Sequence, residues 1–380
     1  TLFRSVILGG IEASLRRFSH YDYWSDKIRR SVLVDSKADL LVYGMGEQAV
    51  TEIAKQLSKG VPVSEITSVR GTVCRLSSPD DLGRSNTILL PSFEQVKENR
   101  KTFADSFMTQ YSNTDPFTAK PLMEPVGESY ILQNPPAYPL SGEVLDSVYG
   151  LPYTRTPHPV YEAAGGVPAV EEITFSLISS RGCFGSCNFC ALTFHQGKIV
   201  QSRSHDSILK EAELLTKMDG FKGNIHDVGG PTANFREPAC PKQAVKGSCS
   251  HKECLFPTRC KNLVVDHSDY LSLLRKIREI DGIKNVFIRS GIRFDYLMAD
   301  TDTTFFTELC KYHVSGQLKV APEHISKKVL WYMGKPDSGI FDAFFNAFRR
   351  INRELNKEQY IVPYFISSHP GSSLDDAVEL

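Results

Sequence analysis

RGCFGSCNFC, residues 181–190, sets three cysteines in the order C-x3-C-x2-C: Cys183, Cys187 and Cys190. Three soft thiolates on one short loop converge on a point and omit the fourth ligand that would close a tetrahedral site. A cubane [4Fe-4S] cluster usually takes four cysteines, one per iron, so a three-cysteine loop leaves one iron open to a small molecule. Zinc held by three thiolates and a water is the competing reading. Zinc sites usually arrive as C-x2-C pairs separated by a spacer, however, and this is one compact triplet. Ser180, Gly182, Gly185 and Ser186 let the backbone wrap closely around an inorganic group, and Phe189 supplies an aromatic face beside it.

The loop follows a strand pattern at 173–179, and a βα alternation continues from there. Further strand patterns fall at 224–229, 284–290, 316–321 and 359–366, with helical patterns at 206–218, 267–280, 301–311, 338–355 and from about 373. Five strands, each followed by a helix, predict a partial TIM barrel over 171–380, with its site in the loops after the strands. A Cys-rich insertion at 236–262 carries Cys240, Cys249, Cys254 and Cys260, with His251 among them. Four thiolates in so short a lysine- and proline-rich stretch suit structural zinc or an auxiliary [4Fe-4S] cluster. The auxiliary cluster is favoured, because the insertion leaves the rim of a site that already uses iron and sulfur.

Upstream, SVILGGIEASLRRF (5–18) passes from an apolar strand through Gly9-Gly10 into a helical pattern. ADLLVYGMGE (38–47) leads in the same way into QAVTEIAKQLSKG (48–60). Two such units predict a Rossmann-like parallel α/β domain over 1–95. Its glycine turns could approach a nucleotide or a corrinoid, but no G-x-G-x-x-G is present, and tight strand-to-helix turns explain them. NPPAYPLS (134–141), LPYTRTPHP (151–159) and AAGGVP (163–168) predict an extended connector over 96–170, with a domain boundary inside it.

The 380 residues hold 44 Lys and Arg against 44 Asp and Glu, so no basic surplus supports non-specific nucleic-acid binding. Arg16-Arg17 and Arg29-Arg30 read as solvated helix faces rather than a polyanion site. No apolar run approaches the roughly 18 residues that span a bilayer, and no signal-peptide pattern opens the chain, so a cytoplasmic protein is expected. Seven of nine cysteines crowd between 183 and 260, which fits a metal protein in a reducing compartment better than a disulfide scaffold. Cys74 and Cys310 stand alone and read as small buried hydrophobes. Thr1 lies in a strand-like run and Leu380 in a helix-like one, as in a piece of a longer protein.

A C-x3-C-x2-C loop with an aromatic before its third cysteine, at the end of a first barrel strand, resembles the radical S-adenosylmethionine (SAM) enzymes. IHDVGGPTAN (225–234) matches their glycine-rich turn, so the resemblance implies that Gly229 and Gly230 bind the methionyl amino group. In FIRSGIRFDYL (287–297), Ser290 and Arg293 are types that hold the SAM carboxylate and ribose in that family. LKVAPEHIS (318–326) offers Glu323 as a cofactor contact, and YIVPYFISSHPGSS (360–373) implies adenine contacts from backbone near Ile361–Tyr364. More narrowly, ILGGIEASLRRFSHYDYWSDKIRRSVLVDSKADLLVYGMGE (7–47), NPPAYPLS and the stretch 181–260 resemble the YgiQ-type radical SAM proteins.

That resemblance implies a [4Fe-4S] cluster on Cys183, Cys187 and Cys190, SAM, a flavodoxin- or ferredoxin-like electron donor and an unidentified substrate. Its N-terminal half is similar to cobalamin-binding domains, yet residues 1–100 lack D-x-H-x-x-G, so cobalamin is not expected. A methyl- or methylthiotransferase acting on RNA or protein is one alternative. A non-catalytic iron–sulfur electron carrier or scaffold is another, and a three-cysteine loop argues against it. Hydrogen-bonded structural roles are the default for His195, His205 and His226. His324 and His369 sit at strand ends, and Tyr21, Tyr23 and Trp24 are expected in a domain-interface core.

Overall fold

The computed structural model describes residues 5–78 and 86–380; the expected strand at Thr1 lies outside them. The chain divides into two compact units, 1–139 with 190–198 and 245–250, and 140–189 with 199–244 and 251–380.

In the first unit, strands β1 (Ile7–Leu8), β4 (Leu40–Val42), β5 (Thr72–Leu76), β6 (Ile88–Leu89), β7 (Leu122–Val126) and β8 (Ser129–Gln133) form one sheet in the order β1-β4-β5-β8-β7-β6. A separate antiparallel hairpin, β2 (His20–Asp22) and β3 (Lys27–Arg29), stands beside it. Alternation along the strands feeds two cores. Leu41, Val73 and Ile131 pack on one face, while Leu40, Val42, Cys74 and Leu132 pack on the other against Ala49 and Ile53 of the helix Glu47–Ser58.

Two expectations change here. The sheet is mixed rather than parallel, since only β1–β4 and β6–β7 run parallel, and β4–β5, β5–β8 and β7–β8 are antiparallel. Residues 96–133 are also not an extended connector. They supply the helix Arg100–Ser112 and the hairpin β7–β8, which closes through Gly127 at φ 58°. Pro121 and Pro125 masked this in the sequence. Pro125 lies beyond the short stretch that β6 pairs, so its missing N–H costs the β6–β7 ladder nothing.

Tyr23 and Trp24 are not core. They are 79% and 91% exposed at the β2–β3 turn, whose backbone is satisfied locally when Trp24 N donates to Asp22 Oδ1 at 3.3 Å. Cys74 and Cys310 are buried as expected.

In the second unit the strand patterns fall where the sequence puts them: β9 (Ser176–Ile178), β12 and β13 (Asn224–Ile225 and Asp227–Gly229), β14 (Asn285–Val286), β15 (Gln317–Glu323) and β16 (Tyr360–Phe365). β9 pairs parallel with β13, β12 with β14, and β15 with β16. Between them run helices His205–Thr216, Ser268–Arg278 and Ser338–Glu354, whose apolar faces meet Leu177, Ile225, Val228, Val286, Leu318 and Val320 in one large core. The helix expected over 301–311 is Thr304–Glu308 followed by a π-turn, Leu309–His313. A short antiparallel pair, β10 (Ser180–Arg181) with β11 (Gln201–Ser202), carries the chain into the cysteine loop.

Candidate metal and cofactor site

The loop turns directly after β10 at Gly182, whose φ of 80° is the left-handed conformation that side chains disfavour. A Cβ at Gly182 would lie 2.1 Å from the Ile199 carbonyl oxygen, so only glycine lets Cys183 leave the ladder here. Cys183 is buried, with its sulfur 3.4 Å from Thr232 Oγ1. A Cβ at Gly185 would come within 2.6 Å of Arg293 Nη1 and 3.2 Å of the Cys183 sulfur. Phe184 turns away and stacks on Phe235 at a centroid distance of 3.7 Å.

Asn188 ties the far side of the loop down. Its N–H donates to the Met333 carbonyl at 3.0 Å and its side chain to the Tyr332 carbonyl at 2.8 Å, at the end of the helix Lys327–Met333. Cys190 is the N-cap residue of the helix Ala191–Gln196, which belongs to the first unit, where His195 Nδ1 lies 2.7 Å from Ser14 Oγ.

Arg293 is the central charge. Its guanidinium donates to Asp295 Oδ1 at 2.6 Å, to Asp295 Oδ2 at 3.1 Å and to the Cys187 sulfur at 3.2 Å. Burial disfavours the charge, but Asp295 and the sulfurs of Cys187 and Cys183 outweigh it and hold the pKa above the ordinary arginine value. The Arg293 backbone is clamped by Asn234, which accepts its N–H at 2.8 Å, and Asn234 in turn meets His267, paired with Asp300. Burial pushes the Cys183 thiol up, and Thr232 and Arg293 oppose it.

Two family models match the chain: one described as Radical SAM N-terminal over residues 3–176, the other as Radical SAM superfamily over 177–380. The chain belongs to the radical SAM superfamily. Relatives named UPF0313 proteins from Clostridium botulinum and Clostridium perfringens are 56% and 55% identical, over 99% of this chain and 58% and 57% of theirs. The recognition as a YgiQ-type radical SAM protein stands with them, and the chain spans little more than half the length of these relatives.

Among solved structures, the cobalamin-dependent SAM radical enzyme OxsB with aqua-cobalamin bound aligns at 12% identity with a TM-score of 0.52, over 98% of this chain and 38% of that one. The radical SAM methyltransferase TsrM from Kitasatospora setae, with cobalamin and a [4Fe-4S] cluster bound, aligns at 13% and 0.50, over 98% and 51%. At these identities the likeness concerns the fold, which is mixed α/β.

Within this radical SAM chain, the glycine turn lies against the cysteine loop. A Cβ at Gly230 would sit 2.8 Å from Ser180 Oγ, and one at Gly229 would sit 2.1 Å from Ser290 Oγ and 2.4 Å from Asp227 Oδ2. Ser290 is held by Asp227, which takes its hydroxyl and, through Oδ1, the N–H groups of Arg289 at 2.8 Å and Ser290 at 3.0 Å. Glu323 occupies a bulge in β15 at φ 71°, with Oε1 at 4.0 Å from Lys335 Nζ. Burial raises the Glu323 carboxyl and, with Arg293, lowers the Lys335 ammonium.

Phe189 packs edge-on to His369 rather than standing alone. His205 pairs with Asp269 at 2.9 Å, His226 lies edge-on to Phe175, and His324 Nδ1 accepts the Ser326 N–H. The backbone proposed for adenine contacts, Ile361–Tyr364, is the middle of β16.

Thr232, Asn188, Asp227, Asp295 and Lys335 were not legible as site residues. Asp295 stood two places from Arg293 in the same motif and was the available signal.

In the insertion, Cys240, Cys254 and Cys260 belong to the second unit, with Cys260 N donating to the Cys254 carbonyl at 2.9 Å. Cys249 is exposed on the 245–250 segment of the first unit. A backbone hydrogen bond from Asn262 lowers the Cys260 thiol pKa. Among the described residues no three His, Cys, Asp or Glu side chains stand ready in metal-ligating positions. The C-x3-C-x2-C donor set still suits an iron–sulfur cluster, on a loop that a Cβ at Gly182 or Gly185 would obstruct and with a buried cation donating to one of its sulfurs.

Proposed function

We propose that the chain is a radical SAM enzyme, built on a partial TIM barrel, that holds a [4Fe-4S] cluster through Cys183, Cys187 and Cys190 and binds SAM beside it. The observation that carries this is Arg293, a buried cation donating to the Cys187 sulfur from the strand loop that the family uses for SAM. When bound and reduced, such a cluster supplies one electron to the SAM sulfonium, releasing methionine and a 5′-deoxyadenosyl radical that takes a hydrogen atom from substrate.

The chain's own part is electrostatic and steric. Arg293 balances the thiolate charge, and a donor to a ligand sulfur is one of the factors that set cluster potential. Gly229 and Gly230 leave backbone open above β13, Asp227 holds Ser290 in one rotamer, and Phe189 and Glu323 line the approach. Cys240, Cys249, Cys254 and Cys260 hold a second metal in this reading, an auxiliary cluster in preference to zinc. A flavodoxin- or ferredoxin-like protein supplies the electron in the cytoplasm. Without D-x-H-x-x-G in residues 1–100, no cobalamin is assigned.

The test is anaerobic reconstitution with iron and sulfide, reduction in the presence of SAM, and detection of 5′-deoxyadenosine. Product above that of a Cys183→Ala/Cys187→Ala/Cys190→Ala control supports the reading; none above it overturns it. The same triple variant checks the second set, where retained iron is expected and zinc without iron refutes the auxiliary cluster.

A further inference from the structure

The first unit holds a cavity of about 980 Å³ between the β2–β3 hairpin and the helices Phe93–Glu98 and Arg100–Ser112. Its volume lies at the upper end of small-molecule sites. Five cations line it, Lys27, Arg29, Arg30, Lys97 and Arg100, against two carboxylates, Asp26 and Asp35, a local balance of five minus two in a chain of zero net charge. Arg29-Arg30, a solvated pair by sequence, is therefore part of a concave surface.

Two of the cations are neutralised from within. Arg30 pairs with Asp35 at 2.8 Å and Arg29 with Asp22 at 3.4 Å, while Asp26 is occupied by the Tyr21 hydroxyl at 2.7 Å. Among the described residues, Lys27, Lys97 and Arg100 have no carboxylate within ion-pair distance, although all three face one cavity. Gathering like charges around a concavity is unfavourable unless an anion shares it.

The other wall is aromatic and apolar: Tyr21, Phe93 and Phe103, with Ile28 and Val96. A bare anion has no use for that wall, whereas a planar ring stacks on it and a cation draws it closer still. We propose that this cavity binds a nucleoside phosphate, with the phosphates on Lys27, Lys97 and Arg100 and the base against Tyr21 and the phenylalanines. The site is independent of the cysteine loop and of its SAM.

Equilibrium dialysis of the 380-residue chain with ATP, GTP, CTP and UTP tests this, with S-adenosylhomocysteine in excess to fill any site in the second unit. Binding of at least one nucleotide is expected, weakened at least tenfold in Lys97→Gln/Arg100→Gln, with the far-UV circular dichroism melt unchanged. Tyr21→Ala is expected to weaken the nucleotide while leaving inorganic pyrophosphate, itself at least tenfold weaker, unaffected. Three results would overturn the proposal: no nucleotide bound, binding indifferent to the double variant, or pyrophosphate held as tightly as the nucleotide. Capture of a single-stranded RNA hexamer without any mononucleotide would overturn it in favour of a nucleic-acid surface.

Discussion

Replacing Gly182 by alanine separates the two reasons a glycine opens the cysteine loop. At φ 80° a Cβ costs about 1–2 kcal/mol in backbone strain alone. The Cβ would also lie 2.1 Å from the Ile199 carbonyl oxygen and 2.8 Å from its carbon. These are main-chain atoms that cannot swing aside, so β10 and β11 must part by about 1 Å, at an overpacking cost of about 1–3 kcal/mol. We expect a total loss near 4 kcal/mol, and displacement of Cys183 with it. Gly127→Ala is the matched control, because its φ is 58° and nothing lies within 4 Å of the added carbon, leaving strain alone, about 1 kcal/mol. Urea unfolding of both variants gives the difference, and iron per chain after anaerobic reconstitution reports the loop. Equal destabilisation of the two variants, or a Gly182→Ala protein that takes up full iron, would refute the reasoning.

Three further outcomes can be checked. Asn188→Ala removes the hydrogen bond to the Tyr332 carbonyl and should cost about 1 kcal/mol in urea unfolding, with faster iron loss to a chelator than wild type. Arg293→Gln leaves Asp295 buried without its cation and should cost about 3 kcal/mol, much of it recovered in Arg293→Gln/Asp295→Asn; a non-additive gain in that cycle is the readout. Glu124 is buried in β7, and burial pushes its carboxyl up from about 4.5 to about 7 against the opposing N–H of Ser19. Because the folded state binds the proton more tightly, stability is full below pH 4.5 and falls by about 3 kcal/mol as pH rises to 7, then levels; Glu124→Gln should flatten that slope in pH-resolved melts.

The second unit was legible because its strands are short apolar runs separated by helices with clear stops, so period and punctuation agree from 173 onward. The first unit was only half legible. β1 and β4 announce themselves through apolar runs ending in glycine, but β7 is LMEPV, with a glutamate and a proline inside it, and its burial comes from neighbours far along the chain. Glu124 sits there at 0% exposure, a position no local pattern assigns to a carboxylate. In the site, cysteines and glycines were visible because their chemistry and spacing are unusual. Asn188, Asp227 and Thr232 are ordinary residues whose roles arise from what they face.

The meeting of the cysteine loop and the glycine turn follows from strand register. β9 and β13 pair in parallel with Ser176 opposite Asp227 and Ile178 opposite Gly229, so both strands end at the same level. The chain then leaves each end towards the same side. That is why Thr232 Oγ1 reaches the Cys183 sulfur across 49 positions of sequence, and why Ser180 lies under Gly230. A slip of one residue would turn Leu177 and Val228 out of the core and carry Asp227 away from Ser290. The buried pair Leu177–Val228 therefore sets the geometry of a polar site it never touches, and shortening Val228 to alanine should loosen the Asp227–Ser290 contact before it unfolds the unit.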